Sequence, residues 1–115
     1  MANTFKNASI KSVSHSGFVD LYTCPAATTA IILGLALTNK TSNAVTASVQ
    51  FIDSSASGSA ADKERLILNE VSIPANTTLE VLSGQKYVME TTDILKVKAG
   101  TTTSLDAVLG LMQIT

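Results

Sequence analysis

Tryptophan is absent from this 115-residue chain, and cysteine and histidine occur once each. A single cysteine excludes an internal disulfide. Together with a single histidine it cannot assemble the Cys/His set of a zinc site. His15 stands in Ser14-His15-Ser16-Gly17, a turn-like stretch. A Ser-His-Asp triad would need that histidine, yet no serine lies in a G-x-S-x-G elbow. A phosphate-cradling loop is missing too. Ser83-Gly84-Gln85-Lys86 lacks the first glycine, the adjacent Gly-Lys pair and the trailing Ser/Thr of such a loop. Cys24 reads as a small buried hydrophobe, because nothing beside it in sequence would activate a thiol. The chain is therefore expected not to be an enzyme and to have no catalytic residue, cofactor or metal site.

Charge is scarce as well. Charged residues make up 15% of the chain and the net charge is −1, against the usual quarter or so. The lysines are scattered, so there is no basic footprint for nucleic acid. The aromatics, Phe5, Phe18, Tyr22, Phe51 and Tyr87, are too few for the stacking platforms of single-strand binders. They are expected to serve the core instead. The longest apolar run, Ala30 to Leu37, is strand-sized, and no stretch reaches the ~18 apolar residues of a membrane helix. The opening residues carry no apolar signal segment, so folding in a cytosol is expected. Two carboxylate pairs, Glu90/Asp93 and Asp53/Asp62, flank loops and could be imagined around Ca²⁺. That ion wants roughly six or more oxygens, so solvated turn residues are the plainer reading. The Asn-x-Ser/Thr triplets at Asn7, Asn39 and Asn76 are read as turn chemistry.

What is present is a 45% apolar chain padded with Ser, Thr, Asn and Gly. It is the size of one domain and long enough to bury roughly two-thirds of its unfolded surface. Apolar residues alternate and turn clusters recur, the mark of a sandwich or barrel. Strands are expected over 17–24, 30–38, 44–53, 77–82, 86–90, 94–99 and 105–114. In the second, Ile31, Leu33, Leu35 and Leu37 should share the inward face by the period-two rule. In the third, Val45, Ala47, Val49 and Phe51 should point one way. Lys96 and Lys98 should lie on a wet face and guard a sheet edge. Residues 53–61, rich in Ser, Ala and Gly, read as a loose loop, and 83–85 as a turn. Residues 62–71 are ambiguous: Ser59 and Asp62 could cap a helix, but the Leu66-Ile67-Leu68 run favours a strand. The fold class expected is all-β, a two-sheet antiparallel sandwich of about eight or nine strands. Jelly-roll and immunoglobulin-like topologies both fit.

Residues 1–16 are set apart as an N-terminal arm from the sandwich of residues 17–115. The arm's apolar residues, Phe5, Ala8, Ile10 and Val13, fit neither a clean strand nor a clean helix. Such an arm could complete its own sheet or add a strand to a neighbouring subunit, and the second is favoured.

Several blocks carry a resemblance. Tyr22-Thr23-Cys24-Pro25-Ala26-Ala27-Thr28-Thr29-Ala30 leads into an apolar strand and then Thr38-Asn39-Lys40-Thr41. Ile73-Pro74-Ala75-Asn76-Thr77-Thr78-Leu79-Glu80-Val81-Leu82, Lys86-Tyr87-Val88-Met89-Glu90, Asp93-Ile94-Leu95-Lys96-Val97 and Ser104-Leu105-Asp106-Ala107 follow. From residue 17 to the end this series resembles small virion structural proteins of tailed phages, many from marine and cyanobacterial hosts. In such proteins a glycine often stands where Asn76 is, and an acidic-Ala-Gly-Asp turn where Glu90-Thr91-Thr92-Asp93 is. The resemblance implies a non-catalytic subunit of the virion, with other virion proteins and copies of itself as partners, and with neither nucleic acid nor membrane. A capsid decoration or cement protein is the leading expectation. A neck, tail or fibre-attachment component is the alternative, and a carbohydrate-binding sandwich module is the reading outside a virion.

Overall fold

A computed structural model describes residues 2–82 and 85–115. The turn expected at 83–85 has Ser83 and Gly84 outside the described residues. Nine strands run β1 Asn3–Ile10, β2 Val19–Thr23, β3 Thr29–Asn39, β4 Val45–Ile52, β5 Glu64–Ile73, β6 Thr78–Glu80, β7 Tyr87–Met89, β8 Ile94–Ala99 and β9 Leu105–Ile114. They form two antiparallel sheets. One has the order β1-β9-β3-β6, with β7 also on β3; the other is β2-β8-β4-β5. The fold is thus an all-β sandwich.

The pairings nest. β1 pairs β9, β2 pairs β8, β3 pairs β6 and β7, and β4 pairs β5. β6 and β7 share one strand's place, against residues 36–38 and 30–32 of β3. A two-stranded ribbon, chain ends outermost and the β4–β5 hairpin innermost, is wrapped alternately onto two sheets. That is jelly-roll order, and it decides between the two topologies left open by the sequence.

β3 departs from simple alternation. Its register against β9 shifts between Ile32 and Gly34, so a bulge inserts one residue and inverts the phase. Ala30 and Ile32 are buried before the bulge, and Leu35 and Leu37 after it. Of the four residues expected inward, Leu35 and Leu37 are; Ile31 is half-buried and Leu33 is 40% exposed. Both sit on the outside of the sheet. In β4, Val45, Ala47 and Val49 are buried as the alternation requires, and Phe51 is half-buried at the strand's end.

The core is aliphatic. Ile32, Leu35, Leu37, Leu105, Leu109 and Leu111 from one sheet face Val49, Leu95 and Val97 from the other. None of the five aromatics is fully buried, but Tyr22, Phe51 and Tyr87 are half-buried and pack against the core as expected; Phe5, which stands exposed, is the correction. Two sheets about 10 Å apart are filled here by Leu, Val and Ala, leaving the rings to the rims. Lys96 and Lys98 do not guard an edge either, because β8 lies between β2 and β4. Lys96 pairs Asp20 at 3.5 Å, and the Lys98 ammonium stands 5.8 Å from the centre of the Phe18 ring.

Residues 60–63 form a short 3-10 helix, and β5 starts at Glu64. Asp62 Oδ2 accepts from the Ser59 amide at 2.9 Å and its hydroxyl at 3.1 Å, so the capping pair exists although the segment beyond it is a strand.

The first residues form β1, an unbroken eight-residue ladder with β9 of the same chain. This differs from the placement on a neighbour and from the absence of a strand pattern. Only Ala8 and Ile10 of β1 are half-buried, so a strand held by backbone pairing shows little hydrophobic periodicity. Val13 follows, 1% exposed, its amide donating to the Leu105 carbonyl at 2.7 Å.

Candidate interaction surfaces

The polar residues that could have carried chemistry are used to hold turns. Asn39 is fully buried. Its amide nitrogen donates to the carbonyls of Asn43, Ile73 and Pro74, and its oxygen accepts from the Thr41 amide and hydroxyl. Asn76 has φ 54° in the turn before β6. Both are turn chemistry. Asn7 is not: it lies within β1, opposite Gly110.

Asp93 is 2% exposed, so it is not a solvated turn residue. Its carboxylate accepts from the Ser54 amide and hydroxyl at 3.0 and 2.9 Å and from the Glu90 amide at 2.9 Å. Three donors satisfy a buried carboxylate that would otherwise be costly. The Asp53 carboxylate turns instead to the Ser55 amide and hydroxyl. Each acid closes its own turn. Among the described residues no three of His, Cys, Asp and Glu converge as metal ligands.

The two departures from the phage pattern have a common backbone origin. Asn76 and Thr92 have φ of 54° and 70°, the left-handed region where glycine is at ease. Those are the two positions at which the resemblance led to an expected glycine.

Cys24 is buried, its thiol 3.3 Å from the Thr28 carbonyl oxygen. Burial pushes the thiol pKa up, away from reactivity. Burial also raises the Tyr22 phenol, opposed by the Gln113 amide that donates to it at 2.6 Å. This bond ties β2 of one sheet to β9 of the other. His15 is exposed in a bend, beside a hollow of about 190 Å³ that Glu70 and Lys98 also line.

What remains is surface. The outer face of the β1-β9-β3 sheet carries a row in which Phe5, Met112, Ile31 and Val88 stand side by side on four strands. Phe5 is 75% and Val88 57% exposed. A parallel row holds Ser9, Val108, Ala36 and Glu80, with Val108 54% exposed. Between the rows Gly34 lies opposite Gly110, and the bulge turns Leu33 outward beside them. An adjoining cleft of about 330 Å³, sharing Val88 with the outer face, lies between β5 and β7, lined also by Phe51, Arg65, Leu66, Ile67 and Tyr87. The sequence reading missed the outer face because it assigned Ile31 and Leu33 inward and Phe5 to the core. The signal was there in β9, where Val108, Met112 and Ile114 alternate with the buried Leu109, Leu111 and Gln113.

No family model and no curated protein matches the chain. Solved structures do. A chain of the infectious bursal disease virus Gx strain aligns at 13% identity and TM-score 0.55, over 96% of this chain and 32% of that one. A chain of the acid-stable capsid of the Helicobacter pylori bacteriophage KHP30 aligns at 13% and 0.48, over 100% and 89%. A Bacillus endospore appendage, a disulfide-linked pilus, aligns at 10% and 0.48, over 96% and 85%. This chain spans about a third of the length of the bursal disease virus chain. At 13% identity the likeness to the bursal disease virus chain is one of fold.

Proposed function

We propose that this protein is a structural, non-catalytic subunit of a phage particle, set on the capsid surface as a decoration or cement protein. It is made in the host cytoplasm and ends in the virion, bound to other virion proteins and to copies of itself. The observation that carries the reading is the division of labour in the side chains. Buried Asn39 and Asp93 are spent on pinning turns, while one sheet presents an apolar outer face to solvent. Contiguous exposed apolar surface on a small rigid domain marks a packing surface, and loops on such a scaffold add specificity. Jelly-rolls recur in capsid and lectin domains, and the fold alone does not choose between them. The sequence resemblance to small tailed-phage virion proteins supports the capsid side. Phe5 is the one aromatic of the five that stands exposed, a poor platform for stacking a chain of sugar rings.

Particles assembled without this chain, then mixed with the purified protein, test the proposal. The protein should co-sediment with intact heads and raise their resistance to heat. Binding to isolated tails but not to heads would move it to the neck, tail or fibres. Binding to neither, with capture by a glycan array, would replace the virion reading with the sugar-binding one.

A further inference from the structure

We infer that the outer face of the β1-β9-β3 sheet is a self-association surface that packs against the same face of a second copy. The inference rests on the reading of this chain as a self-associating structural subunit, and it names the surface that does it.

Four of the five large hydrophobics that stand exposed in the described residues, Phe5, Leu33, Val88 and Val108, lie on this one face. They are contributed by β1, β3, β7 and β9, so the patch is a property of the assembled sheet. Two features make it flat. Gly34 and Gly110 face each other between the apolar rows, and a side chain added at Gly110 would meet nothing within 4 Å. Over Gly110 the sheet is therefore bare backbone, which another sheet can approach closely, while the Glu80 carboxylate lies 3.5 Å from where a side chain on Gly34 would begin.

Charge selects the partner. Along β9 the outward residues from Val108 to Ile114 are uncharged, as are Phe5 on β1, Ile31 on β3 and Val88 on β7. Asp106 lies toward one end and is paired with Lys40 at 2.8 Å, and Glu80, opposite Ala36, carries its carboxylate beside Gly34 on that same side of the Met112 row. A central row without charge has no need of an oppositely charged partner and does not repel its own copy. A two-fold axis crossing the strands near the Phe5-Met112-Ile31-Val88 row lays apolar on apolar. It also carries the acidic ends of the two copies to opposite sides. The arrangement is isologous, so it closes as a dimer. Two such faces would pack as sheets do, about 10 Å apart.

Size sets the strength. Four strands span about 19 Å, and the stretch from Val108 to Ile114 about 24 Å. That is roughly 450 Å² on each partner and 900–1,000 Å² in all, the lower edge of specific interfaces. The association should be reversible and concentration-dependent, near the micromolar range, and reinforced where a particle holds many copies side by side.

The test is sedimentation equilibrium of the purified full chain over a concentration series, beside Gly110→Lys and Phe5→Lys. Gly110 has room for a side chain within its own subunit and Phe5 is mostly solvent-exposed, so neither change should lower the melting temperature. The wild type should pass from monomer to dimer as concentration rises, and both variants should remain monomers throughout. A wild type that stays monomeric at millimolar concentration would overturn the inference and assign the face to a different partner. Variants that dimerise like the wild type would overturn it by placing the contact elsewhere. Head binding by the monomeric variants is read separately: its loss or retention bears on the virion reading and leaves the dimer result unchanged.

Discussion

Asp93 and Ser54, thirty-nine positions apart, are joined by two hydrogen bonds to one carboxylate oxygen, from the Ser54 amide at 3.0 Å and its hydroxyl at 2.9 Å. The other oxygen takes the Glu90 amide. One buried acid therefore fastens the segment after β4 to the turn before β8. Asp93→Ala should cost about 2–4 kcal/mol, since it removes charge-assisted bonds and strands two backbone donors. Chemical denaturation measures this. A loss below about 0.5 kcal/mol would show that the turn holds without its acid.

Leu33 and Leu35, two residues apart, should respond oppositely to the same change. Leu35 is 1% and Leu33 40% exposed. Leu35→Asp buries an unpaired carboxylate at a cost of several kcal/mol, a large share of a typical stability of about 5–15 kcal/mol, and should prevent folding. Leu33→Asp should stay within about 1 kcal/mol of wild type. Thermal melts of the pair followed by circular dichroism read the bulge directly. Equal damage from both would restore the unbroken alternation.

Thr92 is β-branched and sits at φ 70°, a region that costs non-glycine residues about 1–2 kcal/mol. Its hydroxyl bonds the Ser54 hydroxyl at 2.7 Å, an exposed contact that offsets only part of that. Thr92→Gly should raise stability by about 0.5–1 kcal/mol. Asn76→Gly should gain less, because Asn tolerates this conformation better. Both follow from denaturation midpoints, and a loss at Thr92 would mean that the hydroxyl outweighs the strain.

Asp106 is held below the usual carboxylate range, chiefly by the Lys40 ammonium and then by the Ser12 amide. A lowered folded-state pKa means that the ionised form is favoured by folding. Its stabilisation is full above the unfolded value of about 3.9, and it is lost as pH falls through the lower, folded value. The pair is part-exposed, so the effect is small and salt-sensitive. Asp106→Asn should lower stability at neutral pH and remove part of the decline between pH 5 and 2, most visibly at low salt. An acid limb identical to wild type would show that the contact is screened away.

Much of the fold was legible in the residues. Val45, Ala47 and Val49 alternate because β4 is regular, and the turns at Asn39 and Asn76 announce themselves by residue type. The errors share a cause: period-two reasoning carries no information about a bulge. One inserted residue at Leu33 moved half of the strongest strand's apolar residues to the outside. With them went the view of the outer face, which depends on Phe5, Met112, Ile31 and Val88 being brought together from four distant strands. β1 escaped because an edge strand held by its ladder buries little. The nesting of the strands was invisible for the same reason, since register between distant segments is fixed by pairing and packing that no local pattern encodes.

The abundance of this chain in purified particles, relative to the major capsid subunit, tests the central claim most directly. Quantitative mass spectrometry of intact virions measures it. A surface protein that cements a capsid should be present in a simple ratio to that subunit, and stripping it should leave heads that rupture more readily. Absence from the particle, or a trace amount unrelated to any symmetric site, would contradict the account.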